Sequence, residues 1–232
     1  MASETADPVS GLPAQAPRYM AVAFDLLTAL LDSWTLWNRV AGSRDAGMRW
    51  RGEYLRLTYG AGRYRAYEEL VNTAALATGL PPSAGAALFQ EWNDLRPWPE
   101  APRVLERLAS HAKLAVVTNC SEALAYRAVG ATGVIFDVVV SSERAAYYKP
   151  QPQPYRLALR ELSFPAEQVL FVAGSPYDIT GAGGVGMPVF WHNRIGLPLP
   201  SHLAVGVKHL VGTSPSLLPL LPLVLGQVSA DR

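Results

Sequence analysis

Cysteine is nearly missing from this sequence: Cys120 stands alone among 232 residues. A single thiol excludes an internal disulfide framework and a cysteine-built metal site, and it fits a reducing cytoplasm. An excess of charge of either sign is missing too. Twenty basic residues meet 19 acidic ones, for a net charge of +1, so no basic face for nucleic acid is expected. No apolar run reaches the length of a membrane span. The richest, Leu217 to Leu225, is short and broken by Pro219 and Pro222, and reads as a segment that packs the C-terminal end onto the core. Met1 to Pro17 lack the basic start and apolar middle of a signal peptide and read as a flexible N-terminal tail. The four histidines, His111, His192, His202 and His209, show no metal-ligand spacing. His192 reads as the end of a strand. No internal repeat stands out.

What is present is core material. Half of the residues are hydrophobic. Short apolar runs end abruptly in polar or small residues at Met20–Leu27, Leu114–Val117, Val138–Val140, Val169–Val172 and Val189–Trp191. Continuous apolar runs of this length suit strands buried on both faces, as in a parallel sheet. Amphipathic stretches at Ala101–His111, Ser121–Val129 and Pro154–Leu162 separate them, so an α/β core with a doubly wound parallel sheet is expected. From Ser33 to Trp98 no strand is legible. Helices are expected around Trp34–Ala41, Gly47–Thr58, Tyr64–Thr78 and Ser83–Asn93, punctuated by Gly60, Gly62, Gly79, Pro81 and Pro82. The division that follows is a tail over 1–17, a core built from 18–33 and 99–232, and an inserted all-helical unit over 34–98.

Open α/β sheets bind ligands at the carboxyl ends of their strands. There the sequence places Asp25, then Thr118-Asn119, then Lys149-Pro150 after a short loop, then Ser175-Pro176-Tyr177-Asp178. Each has a plain structural alternative. Asp25 and Asp178 can be caps or turn residues, Thr118-Asn119 a helix N-terminus, and Lys149 a solvated loop lysine. The ordered set is more specific than any member. The glycine-rich stretch Gly181–Gly186 follows no strand, so it is not read as a nucleotide fingerprint. Cys120 reads as a small buried residue.

From about Tyr19 to Arg194 the ordered set resembles the haloacid dehalogenase superfamily, and its details resemble the 2-haloacid dehalogenase branch: Tyr155 six residues after Lys149, and Ser175-Pro-Tyr177-Asp178 followed by Trp191-His-Asn193-Arg194. The resemblance implies a Rossmann-like core with an inserted helical cap. It implies Asp25 as nucleophile, Lys149 as its orienting cation and Asp178 as the group that activates water. Thr118 and Ser175 are implied for the substrate carboxylate. Asn119, a cap arginine and Trp50 are implied for the departing halide, with Tyr155 and Tyr177 beside the site. Arg51 is favoured for the cap role because it follows Trp50. Arg49 is the alternative, and a solvated arginine-rich helix face is the plain reading.

Most members of the superfamily are magnesium-dependent phosphatases, and two departures weigh against that here. Leu27 stands where their second aspartate donates a proton, and Ala173-Gly174 stands where a Gly-Asp pair binds magnesium. No cofactor is expected, although Asp25 and Asp178 leave weak magnesium binding open. Other departures are from the dehalogenases: Leu27-Thr28-Ala29 in place of a Tyr-Gly-Thr-like turn, and Ser175 in place of an asparagine. The expected activity is hydrolysis of short 2-haloacids through an ester on Asp25. The rivals are a phosphatase and a non-catalytic member that binds a small anion or a protein. A small anionic substrate is the expected partner, without nucleic acid or membrane, and the resemblance alone suggests a homodimer.

Overall fold

The strand interiors carry Val, Ala, Leu and Phe, and their alternation sorts them onto two faces. In β1 (Ala21–Phe24), Val22 and Phe24 enter one core while Ala21 and Ala23 enter the other. The computed structural model describes residues 18–226, so Met1 to Pro17 lie outside the described residues. After β1 the chain makes a wide π-helical turn, Leu26–Leu30, and then four helices: α1 (Ser33–Val40), α2 (Arg44–Ala61), α3 (Tyr67–Ala77) and α4 (Ala84–Gln90), closed by a 3-10 turn at Glu91–Asp94. Next come α5 (Ala101–Ala109), β2 (Lys113–Thr118), α6 (Glu122–Gly130), β3 (Val138–Ser141), α7 (Ser142–Ala145), α8 (Pro152–Leu162), β4 (Val169–Ala173), α9 (Pro176–Gly183) and β5 (Val189–His192). A 3-10 stretch (Ser201–His209), β6 (Leu210–Ser214) and α10 (Leu220–Leu225) complete the described chain.

The six strands form one parallel sheet in the order β3-β2-β1-β4-β5-β6. The chain leaves β1 toward β2 and β3, then returns to build β4 to β6 on the other side. The order therefore reverses at β1, and a crevice opens at the carboxyl end there. Register brings the strand ends level: Phe24 lies beside Val116 of β2 and Val172 of β4. Asp25 leaves the sheet at that point, and its N–H still bonds Val172 O at 2.9 Å.

Helices α1 to α4 fold around an aromatic cluster. Trp37 and Trp50 ring centres lie 4.6 Å apart, Trp37 and Tyr54 5.4 Å, and Tyr54 and Tyr67 5.4 Å. Tilted and edge-on rings stabilise such clusters beyond their buried area. Polar ties join this layer to the core. Trp92 Nε1 donates to Leu124 O at 3.0 Å, Tyr54 Oη to Asn119 O at 2.8 Å, and Tyr148 Oη to Arg65 O at 2.8 Å. Among the described residues no helix is long and apolar enough to cross a membrane.

The first apolar run stops being a strand earlier than its composition suggests. Strand geometry ends at Phe24 because the Asp25 carboxylate accepts from the amides of Thr28 and Ala29 and bends the chain. Strand β6 escapes sequence reading because it is an edge strand, half exposed along its length, with Gly212 and Thr213 in its interior. The C-terminal segment buries Leu217, Leu220 and Val224, as its composition suggests. Trp92 is fully buried at the junction of the two layers. Truncating it to alanine is expected to cost about 3–5 kcal/mol, measured as a lower urea midpoint in equilibrium unfolding.

Candidate active site

Asp25 caps the wide turn with its own side chain. Its Oδ2 accepts from Thr28 N at 3.0 Å, Ala29 N at 3.2 Å and the Thr28 hydroxyl, all buried. The backbone carbonyls of the turn find donors outside it. Ser33 Oγ donates to Leu27 O, Trp98 Nε1 to Thr28 O at 3.1 Å, and Trp98 N to Leu30 O at 2.9 Å, while His192 Nδ1 lies 2.8 Å from Ala29 O. Such wide turns inside or beside helices recur at functional sites. Here the turn leaves Asp25 Oδ1 turned to the crevice.

Lys149 Nζ lies 2.8 Å from Asp25 Oδ1 and 3.1 Å from Asp178 Oδ1, and the lysine is only 4% exposed. Asn119 fixes the lysine backbone from both sides. Its Oδ1 accepts from Lys149 N at 2.8 Å and from Ser142 Oγ at 2.7 Å, and its Nδ2 donates to Lys149 O at 3.1 Å. Asp178 sits in the first turn of α9, where Tyr155 Oη donates to its Oδ1 at 2.6 Å.

The two buried carboxylates that share Lys149 differ in acidity. Burial pushes Asp25 up, but the Lys149 charge and the bonds from Lys149 and Thr28 outweigh it, and Asp25 is held below the usual aspartate value. Asp178 goes the other way. Burial pushes it above the usual value, the neighbouring Asp25 charge adds to this, and Lys149 offsets only part. Burial pushes Lys149 down, yet the two carboxylates prevail and raise it. The site therefore holds Asp25 as a carboxylate and Lys149 as an ammonium.

Across the crevice, α2 presents Arg51. It is 5% exposed, its guanidinium lies 4.0 Å over the Trp34 ring, and its NH1 donates to Ser33 Oγ at 2.9 Å. Its Nε is buried without a protein partner. Burial lowers its pKa. A desolvated cation with an open donor is a seat for an anion. Arg51, Asp25, Lys149, Asn119, Ser175 and Asp178 line one cavity of about 50 Å³, together with Leu27, Trp34, Leu55 and Tyr59.

Six of the residues singled out in the sequence thus meet in one place, and Arg49, exposed on α2, is not among them. Four others stand elsewhere. Trp50 is fully buried with its Nε1 committed to Val71 O at 2.9 Å, so it has no donor for the cavity. Thr118 is the last residue of β2. Its hydroxyl lies 3.8 Å from Cys120 Sγ, away from the cavity wall, because Asn119 is the residue that turns into the crevice. Tyr155 stands behind Asp178 and orients it. Tyr177 backs Tyr59 at a ring-centre distance of 4.1 Å. Tyr59, whose hydroxyl is 3.2 Å from Ser175 Oγ, went unread in the sequence, as did Leu55 and Tyr54. Their positions three, four and eight residues after Arg51 put them on its face of α2, and that spacing was a usable signal.

A magnesium site of the phosphatase kind does not fit these residues. Gly174 stands at the metal-binding aspartate position, and a Cβ there would run into the Thr28 side chain and come within 2.5 Å of Ala29 N. Lys149 Nζ already occupies the space between the two carboxylates. Among the described residues no group of three His, Cys, Asp or Glu side chains is arranged to hold a metal ion. Asp25 and Asp178 therefore make an ammonium site and not a magnesium site.

Comparison with known proteins agrees with this geometry. Residues 19–186 match the family model for haloacid dehalogenase-like hydrolases. Haloacetate dehalogenase H-2 of Moraxella sp. (strain B) is 31% identical over 193 residues, 76% of this chain and 86% of that protein. (S)-2-haloacid dehalogenase 2 of Pseudomonas sp. (strain CBS-3) is 30% identical over 200 residues, 81% of this chain and 85% of that protein. A dehalogenase crystal structure shares the fold with a TM-score of 0.78 at 26% identity, covering 89% of this chain and 97% of the other. The chain belongs to the haloacid dehalogenase-like hydrolase family, in its 2-haloacid dehalogenase branch.

Carboxylate titration by carbon-detected NMR is expected to show Asp25 protonating below the ordinary aspartate value and Asp178 above it. In Lys149→Met the Asp25 value is expected to rise, since burial then acts without its offset. If Asp25 stayed low in that variant, some other group would be holding it ionised.

Proposed function

We propose that this chain hydrolyses short 2-haloacids to 2-hydroxy acids through an ester on Asp25. The observation that carries the reading is an ionised, nearly dry Asp25 facing, across a small cavity, a buried Arg51 with an open donor. Helices α1 to α4 act as the cap, with boundaries taken at 33/34 and 98/99. The lone Cys120, free and buried, suits a cytoplasmic enzyme.

In the first step Asp25 Oδ1 attacks the halogen-bearing carbon, the carbon–halogen bond breaks, and the halide leaves with the electron pair. Oδ1 is the better nucleophile because Oδ2 is occupied by three donors. A departing halide needs no proton, which is why apolar Leu27 is acceptable where an oxygen leaving group would need an acid. Arg51 receives negative charge, either the halide or the substrate carboxylate. Ser175 and Tyr59 add hydroxyl donors to the cavity wall.

In the second step a water attacks the Asp25 carboxyl carbon and gives its proton to Asp178. The tetrahedral centre collapses, the bond between the carboxyl carbon and the ester oxygen breaks, Asp178 returns its proton to that departing oxygen, and the hydroxy acid leaves with the original Oδ1. Tyr155 orients Asp178, and Lys149 balances the negative charge as it passes between Asp25 and Asp178. The apolar walls, Leu27, Trp34 and Leu55, bound the group on the substrate's second carbon.

A single turnover in ¹⁸O-water tests the covalent step. The expected result is unlabelled hydroxy acid and label in Asp25; label in the first product would mean that water attacks the substrate directly. Halide release from chloroacetate and from each enantiomer of 2-chloropropionate is expected to resist a chelator and to vanish in Asp25→Ala. Arg51→Lys, which loses the planar fork, is expected to lower kcat/KM on the order of 100-fold.

The pH dependence follows from the two carboxylates. As pH falls, Asp178 takes a proton first, because its pKa lies above the usual value while that of Asp25 lies below it. Ester hydrolysis then stops while ester formation continues. Rapid-quench halide measurements are expected to show a burst of one halide per site on the acid side of the profile. Alkylation and hydrolysis failing together at the same pH would contradict the assignment of Asp178 as base.

A further inference from the structure

Ser33 is fully buried at the start of α1, and its hydroxyl makes two contacts of opposite sense. It accepts from Arg51 NH1 at 2.9 Å and donates to Leu27 O. Leu27 O belongs to the peptide unit whose N–H is that of Thr28, and Thr28 N donates to Asp25 Oδ2 at 3.0 Å. The chain of bonds runs from guanidinium to hydroxyl to peptide to carboxylate without a break, and every member is buried. Each donor in such a chain polarises the next.

From this path we infer that Ser33 is a positioning residue that links the cap arginine to the nucleophile. It performs two tasks at once. It holds Arg51 from one side, with Trp34 stacked at 4.0 Å, so that the open Nε–H is left for an anion. It also fixes the Leu27–Thr28 peptide, so that the Thr28 N–H stays aimed at Asp25 Oδ2 and Oδ1 stays turned to the cavity. The reach of Arg51 therefore extends to the reacting carboxylate, although no direct bond joins them. The catalytic part of this inference rests on the dehalogenase reading; the structural link does not.

The link is tested without any ligand by hydrogen exchange of the Thr28 amide, followed by NMR in the wild type, Ser33→Ala, Arg51→Met and the double variant. Either single change is expected to speed Thr28 exchange about tenfold, the scale of one buried hydrogen bond, while amides of β1 and β4 keep their protection. The double variant is expected to be no faster than the singles, because both break one path. Unchanged exchange in Arg51→Met, or effects that multiply in the double variant, would overturn the link. Exchange rising equally in β1 and β4 would show general loosening and overturn it as well. In halide-release assays, Ser33→Ala is expected to lower kcat on the order of tenfold, and to have no further effect once Arg51 is replaced. If the wild type released no halide, the dehalogenase reading would fail while the exchange result still decided the link.

Discussion

The structure around the crevice depends on one ammonium group held between two buried carboxylates. Lys149 Nζ meets Asp25 at 2.8 Å and Asp178 at 3.1 Å where little water reaches. Two carboxylates placed this close without a cation would share a proton. With it, Asp25 stays charged, while burial and the Asp25 charge keep the Asp178 pKa raised despite the lysine. Much nearby architecture serves this placement. Asn119 clasps the Lys149 backbone, Ser142 holds Asn119, and Tyr155 fixes Asp178 from behind. A buried ion group of this kind is poor evidence for stability, and its value here lies in the protonation states it sets.

The second constraint is the wide turn after β1. Its amides point inward to one oxygen of Asp25, and its carbonyls point outward to Ser33, Trp98 and His192. That division leaves the other carboxylate oxygen available to react. Gly174 is required because the turn packs directly on β4, leaving no room for a side chain. The same contact that shapes the nucleophile therefore removes the aspartate a magnesium site would need. A single packing choice thus bears on both the chemistry that is supported and the chemistry that is not.

Much of this could be read from the chain itself. Buried strands announce themselves by continuous apolar runs, and the positions where those runs stop are local facts of sequence. Five of the six strands, the inserted helices and the polar residues at the strand ends were legible in this way. The edge strand β6 was not, because half exposure removes the apolar signal. Trp50 and Thr118 were placed by likeness to a pattern. Their directions depend on which face of α2 and which turn of the chain face the crevice, and neither is a local property.

Burial pattern and residue chemistry act over short stretches of chain, so the fold class, the order of the chemical groups and the charge types at the strand ends were already written in the amino-acid order. Which of those groups meet is settled by long-range packing. It placed Lys149 against Asp25 across a sequence separation of 124, turned Arg51 inward and Arg49 outward, and gave Ser33 one partner in the turn and one on α2. Distances of about 3 Å between residues far apart in sequence come from packing the whole sheet and its helical cover, and no local pattern encodes them.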